Sequence, residues 1–390
     1  MLSRVRPLEL ETVPLGAALG RALGEELTSV DDVPPFDSSA MDGFAVRAED
    51  TSGARPDAPV ELKLAGESRA GAPAERGAER GEAIRISTGA MLPPGADAVV
   101  RVEDTAERDG VVEVRVEVPR GKEIRRAGED ISAGEGLLGP RRILGAAELG
   151  VAASVGVAEL RCRRRPRLSI LVTGDELIEP GRPLGPGQIR SSNGIAIEAQ
   201  AHDAGAQVNV HATVGDDYRA TVEALEPALS ADVVVTTGGV SVGPHDHVKP
   251  ALEELGVEEV FWGVALKPGK PTWFGTRGGT LVFGLPGNPV SAMVTFHLFV
   301  RPALAALIGI DARARRAIAV LDEDYGKRPG RAHVVRCRLE ARDDGWHVRL
   351  TKEAQDSHVL TSMLDAEAFA YLEVERGDVH AGERVEIEIL

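Results

Sequence analysis

Three apolar runs, each emptying into a loop of unusual composition, constrain this chain more than any other feature. LSILVTGDEL begins at residue 168, ADVVVTTGGVSVG at 231 and TLVFGLPGNP at 280. Helix-like text separates them: NGIAIEAQAHDAG, DYRATVEALEPALS and VSAMVTFHLFVRPALAALIG. Strands apolar on every residue, alternating with helices, predict a parallel sheet covered on both faces. Ligands in such sheets bind beyond the carboxyl ends of the strands. The three loops are therefore expected along one edge. They are Thr173-Gly174-Asp175-Glu176, the stretch from Thr237 to Gly243, and Pro286-Gly287-Asn288-Pro289.

The rest of the 390 residues reads differently. Residues 9–27 carry apolar side chains at helical spacing and predict an amphipathic helix. Residues 44–130 hold short strand-like runs, and VVEVRVEV at 111–118 alternates strictly, as a half-buried strand does. AAELGVAASVG reads as a helix, and HVVRCRLEA, WHVRLT, AFAYLEVE and RVEIEIL as strands of a small C-terminal β-domain. The expected units are 1–30 with 131–165, an inserted β-rich region at 31–130, an α/β domain at 166–312 and a β-domain at 313–390. RCRRRPR at 161–167 is either an anion-binding patch or a solvated domain junction, and the acidic remainder favours the junction.

Lys and Arg total 45 against 61 Asp and Glu, a formal charge of −16. Such a surface repels nucleic acid and anionic membrane. Two cysteines far apart, Cys162 and Cys337, make neither a disulfide framework nor a zinc motif. No signal pattern and no run of membrane-spanning length is read, so a cytoplasmic protein is expected.

Gly238, Gly239 and Gly243 let backbone amides approach a ligand, as phosphate cradles do, with Thr237 and Ser241 between them. No Gly-Lys-Ser/Thr follows, so this is not the P-loop pattern. Asp246 comes next, and a carboxylate beside phosphate makes sense where a divalent cation bridges them. His245 and His247 lack a third obvious zinc ligand and read better as capping or surface residues. Asp216 or Asp217 precedes a helix, as cap, as ligand, or as both. Lys267-Pro268-Gly269-Lys270-Pro271 holds two cations on a stiff loop suited to phosphate or an oxyanion. Asp42, in SSAMDG, says little alone.

Taken in order, PPFDSSAMDGFAV, STGAMLPPGADAVV, IRRAGEDI, LVTGDEL, TTGGVSVGPHD, LKPGKP and GLPGNPVSA resemble the molybdopterin molybdenumtransferases, the MoeA and gephyrin E-domain family. The resemblance implies a discontinuous mixed domain carrying an inserted β-domain, a molybdopterin-binding α/β domain and a small C-terminal β-barrel. It implies a homodimer whose active sites are shared between subunits, with Asp42, Thr88 and Asp130 brought from the inserted domain. It implies Mg2+ or another divalent cation on Glu176, Asp216 and Asp246. Molybdate and adenylylated molybdopterin would be the substrates, the latter supplied by a pterin-adenylylating enzyme. Where many relatives carry a basic residue before KPGKP, this chain has Gly263. The family's Gly-Ser-His is Asp356-Ser357-His358, and its later Gly-Asn is Ala366-Glu367. Ser357 and Ser362 are the hydroxyls left for an oxyanion there. A pterin-adenylylating protein would need only the α/β domain. A scaffold would not need Asp42, Asp130, Glu176, Asp216 and Asp246 together.

Overall fold

The computed structural model describes residues 1–240, 246–311 and 315–390. Its α/β unit holds six strands: β1 (Arg167–Thr173), β2 (Gln207–Val214), β3 (Val233–Thr237), β4 (Glu258–Trp262), β5 (Trp273–Arg277) and β6 (Thr280–Leu285), in the order β2-β1-β3-β6-β5-β4. β2, β1, β3 and β6 pair in parallel, and β6–β5 and β5–β4 are antiparallel. Two reversals return β4 to the direction of β1. The carboxyl ends of β1, β2, β3, β6 and β4 thus share one rim, as the three apolar runs predict.

Alternation along the buried strands feeds two cores. Ile170, Val172, Val233, Val235 and Phe283 face α1 (Asn193–Asp203) and the helical stretch Pro289–Leu307. Leu171, Val234 and Val282 face α2 (Tyr218–Ala228) and α3 (Val248–Glu254). Both faces are covered, so no strand residue has to be polar.

Contrary to the sequence reading, one helical stretch does reach spanning length: the 19 residues Pro289–Leu307. It is 61% buried inside the protein, which accounts for its apolar text. Its middle, Phe296–Val300, is a π-turn just before Pro302. Proline lacks an N–H and clashes with the carbonyl four residues back, and a π-turn relieves both problems.

The helix expected over 9–27 does not form. Leu10–Pro14 is a strand paired antiparallel with Glu159–Arg163, and Leu27–Thr28 pairs with Gly136–Leu138. Val13, Leu23 and Leu27 still reach a core, against Leu138, Leu144 and Leu160. Gly16, Gly20, Gly24 and Pro14 weaken the helical alternative, by roughly 1 kcal/mol per interior glycine. Gly24 lies so close to Leu10 that a Cβ there would stand 2.1 Å from Leu10 Cδ2. The helix read in AAELGVAASVG is present as Ala146–Ser154, with Glu148 Oε2 accepting from the Gly145 N–H at 3.0 Å.

The arginine run is a junction. Arg161 donates to Thr12 Oγ1, Arg163 to Leu8 O at 2.6 Å, and Arg164 clasps Asp232 through two bonds of 2.6 and 2.8 Å. These contacts fasten the first segment to the amino-terminal end of the α/β sheet.

Within residues 31–130, six strands form one sheet around Phe44, Val46, Leu62, Val100, Val112 and Val114. The strand expected over 111–118 stops at Val114; beyond it the Arg115 N–H turns to Asp104 O and the Val118 N–H to Thr51 Oγ1. The C-terminal strands close on themselves. Ala332–Arg342 pairs with both Gly345–Leu350 and Ala368–Leu372, and Arg315–Leu321 with Arg384–Ile389 completes a five-stranded barrel. Leu266–Lys267, from the α/β domain, adds to its outside against Ala332–His333.

Candidate active site

The rim is built so that backbone, not side chains, lines its centre. Gly238 and Gly239 both take positive φ, 92° and 63°. A Cβ on Gly238 would stand 2.7 Å from Thr173 O, and one on Gly239 2.7 Å from Val248 Cγ2. No side chain fits at either position. Thr173 Oγ1 faces the same spot, buried and without a hydrogen-bond partner among the described residues. A buried donor left unpaired marks a place for a ligand atom. Ser241, Gly243 and His245 lie outside the described residues.

The acidic loops are tied together around this cradle. Asp175 Oδ1 accepts from the Asp216 N–H at 3.0 Å. Asp217 caps α2, accepting from the Ala220 N–H at 2.8 Å. The cap is therefore Asp217, and the Asp216 carboxylate stays available. Glu176 folds back over Gly174, where a Cβ would meet its carboxylate at 2.7 Å. Asp246 is half-buried just ahead of α3. No three His, Cys, Asp or Glu side chains converge as a metal cage among the described residues. The donor set instead suits a hard cation held by one or two carboxylates and completed by phosphate oxygens.

Asn193 is a residue sequence reasoning missed. Its Nδ2 donates to Thr237 Oγ1 at 2.8 Å and to Gly287 O at 2.7 Å, joining the second loop to the third. Thr237 Oγ1 in turn donates to Pro286 O. In the sequence, SSNG resembled an ordinary helix start, so nothing flagged it.

The third loop reaches the barrel. Asn288 Nδ2 donates to Ser357 Oγ at 2.8 Å, and the Val290 N–H to Ser357 O at 3.2 Å. Lys267 Nζ stands 3.9 Å from Asp356 Oδ1. Ser357, Asn288 and Lys267 thus meet at one junction, with exposed Lys270 at the far end of the stiff loop. Ser362 is buried and accepts from Arg336 Nε and Nη2 at 3.2 and 3.0 Å, so its hydroxyl serves the barrel. Glu367 stays exposed on the outside of the barrel, where it accepts from the Leu339 N–H at 2.9 Å.

Arg336 was also missed. It is 1% exposed and has no carboxylate partner among the described residues; burial lowers its pKa to about 10. His333, three residues earlier on the opposite face of the same strand, is pushed down to about 4 by burial and then by Lys267. Its Nδ1 lies 3.0 Å from the Tyr325 hydroxyl. The signal for Arg336 was present: an arginine inside the apolar run HVVRC. Gly263, where the resemblance leads one to expect a basic residue, has φ 81°, a conformation that favours glycine.

Asp42 Oδ1 accepts from Thr88 N at 2.7 Å and Thr88 Oγ1 at 3.1 Å, so those two come together. Asp130 lies nearby in the chain path, its N–H on Val33 O. Among the described residues no hydrogen bond or ion pair links Asp42, Thr88 or Asp130 to the rim loops.

A mainly parallel sheet with a glycine-lined cradle at its switch point, joined to a second β-domain and a barrel, defines a multidomain α/β ligand-binding protein. Residues 1–156 match the model of the MoeA N-terminal region (domains I and II), residues 169–306 the probable molybdopterin-binding domain, and residues 319–390 the MoeA C-terminal region (domain IV). A molybdopterin molybdenumtransferase of Haemophilus influenzae is 38% identical over 387 residues, covering 98% of this chain and 94% of that protein. Molybdopterin molybdenumtransferase 2 of Mycobacterium tuberculosis is 42% identical over 318 residues, covering 80% and 77%. The crystal structure of a molybdopterin biosynthesis MoeA protein from Pyrococcus horikoshii superposes with a TM-score of 0.83 at 33% identity, covering 100% of this chain and 96% of that one. The chain belongs to the MoeA family.

Proposed function

We propose that this protein inserts molybdate into adenylylated molybdopterin and releases AMP, the final step of molybdenum cofactor assembly. The observation that carries this reading is the junction of two anion sites on one rim. A cradle of Gly238, Gly239 and the unpaired Thr173 hydroxyl lies along the same edge as Lys267, with Ser357 held by Asn288 and Arg336 buried behind. The reaction brings together two anions, which repel unless cations screen them.

In this reading Thr173, Gly174, Asp175, Thr237, Gly238, Gly239, Ser241, Gly243, Pro286, Gly287 and Asn288 hold the adenylylated pterin. Lys267, Lys270 and Ser357 receive molybdate. Glu176, Asp216 and Asp246 are the carboxylates that would surround a magnesium ion, one or two of them ligating it directly while phosphate oxygens complete its shell; the ion would neutralise phosphate charge. Water cleaves the phosphoanhydride between pterin phosphate and AMP, and AMP leaves; the pterin dithiol then displaces one molybdate oxygen, which departs as water with the two thiol protons, so that both sulfurs ligate molybdenum without a change of oxidation state. Positioning and electrostatics carry the chemistry, as they do in phosphoryl transfer generally.

Asp42, Thr88 and Asp130 would complete the site of a partner subunit in a homodimer; having no bond to the rim of their own chain is consistent with that. The working domain division is 1–30 with 131–165, then 31–130, 166–312 and 313–390. Two buried free thiols, Cys162 and Cys337, fit the reducing cytoplasm, where an upstream adenylylating enzyme would supply the pterin.

The test is AMP release from adenylylated molybdopterin on adding molybdate and magnesium to the purified protein. Molybdate-dependent release with a metal-loaded pterin product supports the reading. Tight pterin binding without release would overturn it.

A further inference from the structure

One cation on the rim has no role so far. Trp262 ends β4 and is 44% exposed, unusual for an indole in the middle of a domain. Its Nε1 donates to Val240 O at 3.2 Å, at the end of the Gly238–Gly239 turn. The Lys249 ammonium sits 4.2 Å from the centre of the Trp262 ring. Lys249 belongs to α3, whose preceding residue, Val248, is the one packed against Gly239. Because β4 runs parallel to β1, Trp262 stands at the same edge as the cradle, five residues before Lys267. Lys249 has no carboxylate partner among the described residues, although the chain carries a charge of −16.

Resting on the proposed function, we propose that Lys249 is a substrate-binding residue that meets the phosphate-bearing part of the adenylylated pterin, and that Trp262 is a positioning residue holding it there. A lysine stem is flexible, and ordering it on binding costs conformational entropy. Resting the ammonium on an indole removes part of that freedom before substrate arrives. The contact with the ring is weak and leaves the positive charge intact. Anchoring the indole N–H on Val240 couples the lysine to the very loop that forms the cradle.

The experiment compares full-length wild type, Lys249→Met, Lys249→Arg and Trp262→Leu, each checked for an unchanged melting transition. Binding of adenylylated molybdopterin and of AMP is measured at two salt concentrations, alongside kcat and KM for molybdate-dependent AMP release. Lys249→Met should weaken pterin binding about tenfold and flatten its salt dependence, with kcat held within about twofold. Lys249→Arg should keep most of the affinity, and Trp262→Leu should lose about threefold. In a Trp346→Phe background, where buried Trp273 is the other remaining indole, pterin binding should change the emission, and the change should be lost when Trp262→Leu is added. Wild-type affinity in a folded Lys249→Met protein would overturn the assignment. A wild type that binds pterin but never releases AMP would sink the transferase reading alone, since a tenfold binding loss in Lys249→Met would still support the anion role.

Discussion

The two faces of the C-terminal barrel treat charge in opposite ways. The outer face has a crevice of about 510 Å3 lined by Asp322, Glu340, His347 and Arg349. Arg342 bonds Asp322 at 2.6 Å and also Glu340, while His347 sits between Asp322 at 2.7 Å and Asp344 at 3.0 Å. The charges cancel within the cluster. Arg336 lies on the face toward the helix that begins at Pro289, with Lys267 at its edge, while His333 points to the other side of the same strand and Lys327 is buried on the carbonyls of Val374 and Arg376. Neither Lys327 nor Arg336 has a carboxylate at ion-pair distance among the described residues. A cavity whose charges satisfy each other is finished as it stands. Buried cations without a carboxylate leave net positive charge that an anion from outside the chain can neutralise.

The sharpest way to break this comparison is at the rim. Asp246→Asn should cut magnesium-dependent turnover by roughly 100- to 1,000-fold while the melting temperature holds. Full activity, or an unfolded variant, would end the ligand role. A second test uses the two histidines, which shift in opposite directions. His333, pushed down to about 4, stays neutral in the folded barrel while the unfolded chain takes up a proton below 6.5. Its stabilising contribution is therefore present above pH 6.5 and lost as pH falls towards 4, by up to roughly 3 kcal/mol. Denaturant melts of wild type and His333→Gln across that range should diverge by this amount; parallel curves would refute it.

Lys267→Ala should raise the molybdate concentration for half-maximal AMP release about tenfold, with a smaller change in kcat. An unchanged molybdate dependence would remove the oxyanion assignment. The smallest effect is expected on the outer face. The Asp322 and Asp344 carboxylates push the His347 pKa up against a smaller lowering by burial, so its contribution is present below 6.5 and lost as pH rises through the raised value. His347→Ala should shift melting by only about 1–2 °C and leave AMP release alone. A large loss of turnover would make the outer crevice a site and erase the contrast.

How legible each part was follows from the range of the interactions involved. The parallel sheet could be read because strands buried on both faces must be apolar throughout, and that pattern is local. The barrel strands were legible for the same reason, through alternation. The segment 9–27 misled because its apolar spacing fits a helix, while its backbone bonds go to residues 136–163, far along the chain. Asn193 was invisible as a site residue because its partners, Thr237 and Gly287, become neighbours only on folding, whereas Arg336 left a local trace as a charge inside an apolar strand.

The sequence alone determined the family, the three apolar strands at the centre of the parallel sheet, and the three loops that follow them. It could not choose between Asp216 and Asp217 as the cap, since either carboxylate suits a helix start. Only the tertiary structure assigned the cap to Asp217, consumed the hydroxyl of Ser362, tied Glu367 to the Leu339 N–H and stood Lys249 on Trp262. Those outcomes depend on which groups remain unpaired once every other partner is taken, and that is fixed by packing between distant segments.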